Sequence, residues 1–584
     1  MKSLKQNKAK LWLVISLCLC LISMIFASAV QSDGGKVKVS ELRLVDKLGY
    51  EVSAMLYKPE NATIDSKAPC IVTVEGWYNN KEMQDLYSVE YARRGYVVVA
   101  VDMHGHGNSE ATNYADLYGD GVGVDAAVEL AGSLPYVDTA KIGITGHSSG
   151  GAACDEAMAL DNERETPLVS AVLYEASTWV DDLGKDHSAD YGDRSSGIIA
   201  DRYDEFFFWM TDDNGKDTLP REFLTTPAAR NYINFNNGSD GIDEVKAGNY
   251  YSQKTSSGGT AYRVVYSIPC THPWVHFSKR AVADGIEFFD KVFGAPRQIA
   301  ANNQIWQWKA FFNFIGLVGI VMFTVSFILV MLETSYFGVL RTGETVAPLP
   351  VKDSGGKRWY WLSLILCSIV SFASFWWALR CIYSKTTKFF VQTGPLTMGM
   401  WCLISGLFAL LMMVLYTVFY GKKNGFSAQD RGLCLSGEKL WKTIVLALLT
   451  ACLAFLILFF AAYFFKTDFR LWMITLKTFS ADKVLYGLRY LPFFLIFYII
   501  NSVSACCYNY NTIGGKANTL LFSLFNGAGA LAFLLIQYIP FFAGCSLAWY
   551  DTEAMRISGI WLAPVIVYLW LTPFLNRIVY RKTK

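Results

Sequence analysis

Two spacings of apolar residues divide the chain. Up to about residue 300, apolar residues come in short runs between charged and glycine-bearing segments. Lys36 to Val45 alternates (Val37, Val39, Leu42, Leu44), and Tyr50 to Tyr57 follows after a Lys-Leu-Gly turn, so the two predict an antiparallel opening pair. Cys70 to Val74, Tyr96 to Val101 and Val169 to Tyr174 are almost wholly apolar, the pattern of strands buried on both faces. Between them, residues 83–92 and 121–134 carry helical spacing. Strands alternating with helices predict a mostly parallel sheet with helices on both faces. Ligands of such sheets sit at the carboxyl ends of the strands. The loops after Val74, Val101 and Thr145 leave such ends.

From about 306 onward the apolar runs are long. Seven of them, near 311–332, 359–379, 395–420, 442–465, 489–507, 518–541 and 556–576, are long enough for a helix across a ~30 Å hydrocarbon layer. Trp359, Tyr360 and Trp361, Trp441, and Trp549 with Tyr550 stand at their ends, where aromatic belts form. Asn501, Asn526 and Gln537 are the main polar residues at depth, suited to helix–helix hydrogen bonds. Residues 1–30 have a basic start, an uncharged stretch from Leu11 to Phe26 and Ala27-Ser28-Ala29, the anatomy of a signal peptide or a retained signal anchor. The expected division is therefore a signal segment (1–30), a domain at 31–300, and an all-α polytopic transmembrane domain at 306–584.

Composition and charge adjust this picture. The 584 residues carry a net charge of +2, which leaves no broad basic surface for nucleic acid. Lys and Arg number 18 in the segments on one side of the expected spans and nine on the other. That bias puts the 31–300 domain outside the cytoplasm and the C-terminus within it. The 466–489 segment, which mixes Phe469, Leu471, Trp472 and Ile474 with Arg470 and Lys477, is read as lying along the membrane interface. Three of the 13 cysteines (Cys70, Cys154, Cys270) fall in the first domain, with no metal or disulfide pattern. No cofactor is expected.

The chemistry centres on Lys141-Ile142-Gly143-Ile144-Thr145-Gly146-His147-Ser148-Ser149-Gly150-Gly151. Here a strand ends in G-x-S-x-G, where small residues two before and two after the serine allow a sharp turn that projects its hydroxyl. Asp102-Met103-His104-Gly105-His106-Gly107-Asn108-Ser109 follows an earlier strand. With these motifs, residues about 36–294 resemble the α/β-hydrolase family, in particular its dienelactone-hydrolase and prolyl-oligopeptidase-like branches. His104 stands where that family has an arginine, and Glu75-Gly76 where many of its members have His-Gly. The resemblance implies an α/β-hydrolase sheet with a cap insertion, placed at about 177–231, and a Ser-His-acid triad.

Ser148 is then the nucleophile. Among six histidines, His272 lies on the loop after the expected last strand, Ala261 to Ile268, where the family keeps its base. The acid is expected at Asp240, after an expected strand at Tyr232-Ile233-Asn234-Phe235; Glu175, at the end of Val169 to Tyr174, is the alternative. The backbone N–H groups of Trp77 and Ser149 are expected to form the oxyanion hole. His272 and His276 could form a metal pair, but Pro273 between them and the missing third ligand argue against a metal. The run Phe206-Phe207-Phe208-Trp209-Met210 is open to two readings, packing on the sheet or lining an acyl pocket.

The function expected is a membrane-anchored serine hydrolase that cleaves carboxylic esters through an acyl-enzyme, its partners a small-molecule or lipid acyl substrate and the bilayer. A serine peptidase, or a non-catalytic receptor or transport protein with a hydrolase-like binding module, are the alternatives. The sequence assigns no oligomeric state.

Overall fold

The computed structural model describes residues 2–112, 114–181, 183–544 and 551–583; Trp549 and Tyr550 lie outside them. The chain divides into two compact units. One comprises Ile22–Phe314 with Ala461–Asp482, the other Met1–Leu21, Ile315–Phe460 and Lys483–Lys584.

The first unit is built on a nine-stranded sheet. Its strands are β1 (Val37–Val45), β2 (Glu51–Pro59), β3 (Ala68–Val74), β4 (Val97–Val101), β5 (Val137–His147), β6 (Val169–Glu175), β7 (Ser195–Tyr203), β8 (Tyr251–Lys254) and β9 (Thr260–Thr271), in the spatial order β1-β2-β4-β3-β5-β6-β7-β9-β8. β1 and β2 pair antiparallel, as does β2 with β4 and β8 with β9. The six strands from β4 to β9 in that order run parallel. This is the mostly parallel sheet with helices on both faces that the alternation of strands and helices predicts.

The all-apolar strands feed two cores, because successive side chains point to opposite faces. Val72, Val97, Val99 and Ile144 pack on one face with α3 (Val124–Ser133) and α4 (Ser149–Asn162). Ile71, Val98, Leu173 and Val264 pack on the other with α2 (Asp85–Arg93) and α6 (Lys279–Phe293). Ser278 caps α6, its Oγ accepting from Ala281 N at 3.2 Å, and the helix turns Val282, Ile286, Phe289 and Phe293 inward.

Two expectations change. The 177–231 stretch is not one cap insertion, since β7 runs through its middle. β7 begins with Ser195-Ser196-Gly197, a composition that hides a strand, yet it is buried between β6 and β9. A Cβ at Gly197 would stand 2.9 Å from both Leu173 and Phe288, so only glycine lets those side chains close over the strand. Residues 232–235 form no strand. Tyr232 and Ile233 end a helix, α5 (Pro227–Ile233), that starts from Thr226, whose Oγ1 accepts from Ala229 N, with Pro227 at its first position.

The second unit is helical: α1 (Lys2–Gln31) in part, α7 (Trp306–Met331) in part, α8 (Ser354–Cys381), α9 (Thr393–Tyr416), α10 (Gly437–Phe465) in part, α11 (Ala481–Val503) in part, α12 (Asn518–Gly544) and α13 (Glu553–Thr583). Among the described residues, eight helices are long and apolar enough to cross a membrane. Asn501 donates to Asn526 at 2.5 Å, and Gln537 Nε2 donates to Met555 O at 2.8 Å. Near the end of α13 a buried charge appears. Arg577 is 3% exposed and donates to Ala505 O, Asn518 Oδ1 and Thr519 Oγ1.

Residues 469–476 are not a helix or an open loop. They form a hairpin, β10 (Phe469–Leu471) and β11 (Ile474–Leu476), within the first unit.

Candidate active site

Ser148 stands between the end of β5 and the start of α4, with φ +55° and ψ −126°. L-residues rarely adopt this conformation, which persists only where the surroundings impose it. Here they do. Ser148 N donates to Glu175 O at 3.1 Å, and Ser148 O accepts from Gly151 N at 2.8 Å as α4 begins. A Cβ at Gly146 would lie 2.2 Å from Gly150 O, and one at Gly150 2.4 Å from Glu75 O. The two glycines of the motif are therefore steric requirements of the turn.

Glu75-Gly76-Trp77 packs directly on this turn. A Cβ at Gly76 would meet His147 Nδ1 at 2.8 Å and Ser148 Cβ at 3.1 Å. Trp77 follows at once, and Ser149 opens α4, where N–H groups point out of the helix end. The Glu75 side chain turns away and holds the neighbouring loop. Its Oε1 accepts from Met103 N at 2.8 Å and lies 3.2 Å from His106 Nδ1. Burial pushes its carboxyl above the usual range. His104 pairs with Asp46 at 2.7 Å. Asp102 forms a buried ion pair with Lys81 at 2.7 Å and accepts from Asn108 N at 2.9 Å, contacts that give the 102–109 loop a structural role.

His272 follows β9 and is 4% exposed. His147 Nε2 donates to its carbonyl at 3.0 Å, and the two imidazole rings lie 4.6 Å apart, which ties the His272 loop to the serine turn. His272 Nδ1 donates to Asp204 Oδ2 at 2.9 Å. That bond keeps the proton on Nδ1 and leaves Nε2 as the basic nitrogen. Asp204 is fully buried, and its Oδ1 accepts from the backbone N–H of Phe206 and Phe207, each at 2.7 Å. Glu205 Oε2 accepts from His272 N at 2.9 Å.

The pairing of His272 with Asp204 follows from the sheet. β7 lies beside β9, and Tyr203 is paired with Thr271. Asp204 and His272, the next residue of each strand, must therefore leave the sheet side by side. Sequence reasoning missed Asp204 because it missed β7. The available signal was the short apolar run Ile198-Ile199-Ala200 followed by acidic residues.

Asp240 is not the partner of His272. It is exposed, in the loop after α5. Glu175 is buried at the end of β6 but is engaged elsewhere, its carboxylate accepting from Thr145 Oγ1 at 2.7 Å and Gln84 Nε2 at 3.1 Å. Burial pushes its carboxyl up to about 8.

Two further histidines crowd the site, and burial keeps both uncharged. Burial, then the neighbouring His276 and His272, holds His147 well below the usual range. Burial, then His272 and Arg470, lowers His276 to about 3. His272 is thus the imidazole with a carboxylate at its Nδ1. Burial, then Asp204 and Glu205, likewise pushes Asp201 well above the usual carboxylate range. Asp201 thereby avoids adding a further charge beside Asp204.

The aromatic run divides between the two readings offered for it. Phe206 and Phe207 flank the His272 ring at 4.8 and 5.5 Å. Phe208 is buried against Phe223 at 5.0 Å. Among the described residues, one group could hold a metal: buried Glu156, Asp181 and His187, whose ligand atoms lie within 4.8 Å of one another. His187 Nδ1 lies 2.8 Å from Asp190 and Nε2 3.2 Å from Asp181, so hydrogen bonds within the protein account for the cluster.

Residues 73–283 match the model of the Alpha/beta hydrolase family. No curated protein matches the chain. Among solved structures, the chain is similar to a hypothetical protein from Pseudomonas aeruginosa (25% identity over 25% of this chain and 44% of that one, TM-score 0.21). It is also similar to an esterase from Pyrococcus furiosus (11% identity, 44% of this chain and 94% of that one, TM-score 0.29). A third is an esterase from Pyrobaculum calidifontis (14%, 49% and 90%, TM-score 0.30). The chain spans less than half the length of the Pseudomonas protein.

Proposed function

We propose that this chain is a serine hydrolase cleaving acyl bonds, carboxylic esters foremost, with Ser148 as nucleophile, His272 as base and Asp204 as acid. The reading rests chiefly on one observation: the Nδ1 bond from His272 to buried Asp204, on a loop tied to the strained Ser148 turn. In this mechanism His272 Nε2 takes the Ser148 proton as Oγ attacks the acyl carbon. The N–H groups of Ser149 and Trp77 hold the developing oxyanion. His272 then returns the proton to the leaving alcohol, and water resolves the acyl-enzyme by the same route. Asp204 stabilises the imidazolium that forms at each step without itself taking the proton.

The eight long apolar helices support membrane anchoring, and the Lys and Arg bias supports an extracytoplasmic hydrolase unit with a cytoplasmic C-terminus. A small-molecule or lipid acyl substrate suits a site flanked by Phe206 and Phe207.

Labelling by a fluorophosphonate probe tests the reading. Wild-type protein is expected to label and Ser148→Ala not to; equal labelling of the two would overturn it. Faster turnover of p-nitrophenyl esters than of aminoacyl anilides is the expected outcome for the ester assignment, and the reverse would make the chain a peptidase.

A further inference from the structure

The hairpin between α10 and α11 contacts both halves of the proposed catalytic machinery. On one side, Arg470 donates to Asn80 Oδ1 at 2.7 Å, and Lys477 Nζ bridges both oxygens of Glu82 at 2.6 Å. Asn80 and Glu82 close the loop that carries Trp77. On the other side, Trp472 Nε1 donates to Pro273 O at 3.0 Å, and its ring meets Trp274 edge-on at 4.5 Å. Pro273 and Trp274 directly follow His272. Asp482 Oδ2, just beyond the hairpin, accepts from Ala111 N at 3.1 Å in the segment after the 102–109 loop.

These are buried contacts. The side chains of Lys477 and Glu82 are 10% and 7% exposed, and that of Arg470, also paired with Asp468, is 8% exposed. Breaking one member of such a pair leaves a charge without its partner in a dry setting. The turn is strained as well. Trp472 takes φ +52°, a conformation that favours glycine or asparagine in a two-residue hairpin. A bulky residue holds it only where its surroundings over-determine it, and the Pro273 and Trp274 contacts do so.

We propose that the 469–476 hairpin, with Lys477 that follows it, is a positioning element of the active site. By clamping the Glu75–Glu82 loop and the His272–Phe277 loop together, it fixes the oxyanion donors relative to the base. Trp472 and Lys477 are its positioning residues, neither touching the reacting atoms. A segment that reads in sequence as an interfacial membrane loop thus makes turnover depend on residues between α10 and α11 that pack within the first unit. This inference rests on the proposed serine mechanism.

The test uses full-length protein in detergent, with fluorophosphonate labelling rate, labelled fraction at the end-point, and KM for a p-nitrophenyl ester as readouts. Trp472→Ala and Lys477→Glu are expected to label about tenfold slower or more, since small misplacements of catalytic groups cost that much or more. Their end-point fraction and KM should stay at the wild-type values. Glu82→Lys combined with Lys477→Glu should recover part of the lost rate, and Trp472→Phe, which keeps a ring but loses the N–H, should fall between wild type and Trp472→Ala. Wild-type rates in both single variants, beside a labelled wild type, would overturn this inference alone. So would a slowing matched by an equal loss of end-point fraction, the mark of misfolding. An unlabelled wild type would overturn the serine mechanism, and this inference with it.

Discussion

Two acidic loops of the first unit, 204–210 and 236–243, differ in what surrounds their carboxylates. Asp204 is fully buried, accepts two backbone N–H groups on one oxygen and His272 on the other, and starts where β7 ends beside β9. Asp240 is exposed between Gly238 and Gly241, in a loop whose hydrogen bonds tie it to α5 and Ser188: Gly238 N donates to Asn231 Oδ1, Asn237 Nδ2 to Asn234 O and Asn236 Nδ2 to Ser188 O. Both loops offer an Asp between Ser148 and His272 in chain order. Only the first holds its carboxylate against movement and away from water, which lets it orient an imidazole and stabilise its charged form.

Substituting both acids gives the sharpest separation. Asp204→Asn is expected to lower kcat by about 10³–10⁴-fold, because the amide no longer fixes the tautomer with the basic nitrogen toward Ser148. Asp240→Asn should leave kcat within about twofold, as surface changes usually do. Steady-state ester hydrolysis by the two purified variants decides it, and the opposite ranking would return Asp240 to the triad.

Glu205→Gln asks whether the loop matters beyond Asp204. Gln keeps an acceptor for His272 N but removes the charge, so a loss of about tenfold in kcat, well short of the Asp204 variant, is expected from a hydrogen bond that becomes neutral. A loss as large as that of Asp204→Asn would make Glu205 the acid.

The smallest effect on activity belongs to Glu175, where stability carries the signal. Burial raises its carboxyl from 4.5 to about 8, so the folded chain keeps a proton that the unfolded chain releases between those values. The folded state binding more protons, wild-type stability falls as pH rises across that window. Glu175→Gln cannot ionise. Its melting temperature should match wild type near pH 4.5 and exceed it increasingly up to about pH 8, a gain on the order of 4 kcal/mol, with activity kept. Lost activity in this variant would reinstate Glu175 as the acid.

Much of this was legible in the sequence, in an uneven way. The G-x-S-x-G turn was readable from Gly146, Ser148 and Gly150, although only Gly146 answers to a neighbour within the turn; Gly150 answers to Glu75, on the loop after β3. His272 was readable because β9 is strongly apolar and the loop after it short. β7 was not, because Ser195-Ser196-Gly197 gives no strand signal alone; its burial between β6 and β9 makes it one. The Thr226-Pro227 start of α5, a recognisable helix cap, was the local clue that Tyr232 and Ile233 belong to a helix and not a strand.

By itself, the sequence determined the alternating layer architecture, the serine turn, the place of His272 after the last strand, and helices long enough to cross a membrane, since all depend on period, length and local sterics. The tertiary structure alone decided which carboxylate lies beside His272 and the neighbours of residues 469–476. Which strand lies beside β9, and which loop Trp472 and Lys477 reach, are settled by packing between segments far apart in the chain, and local residue patterns carry little record of such pairings.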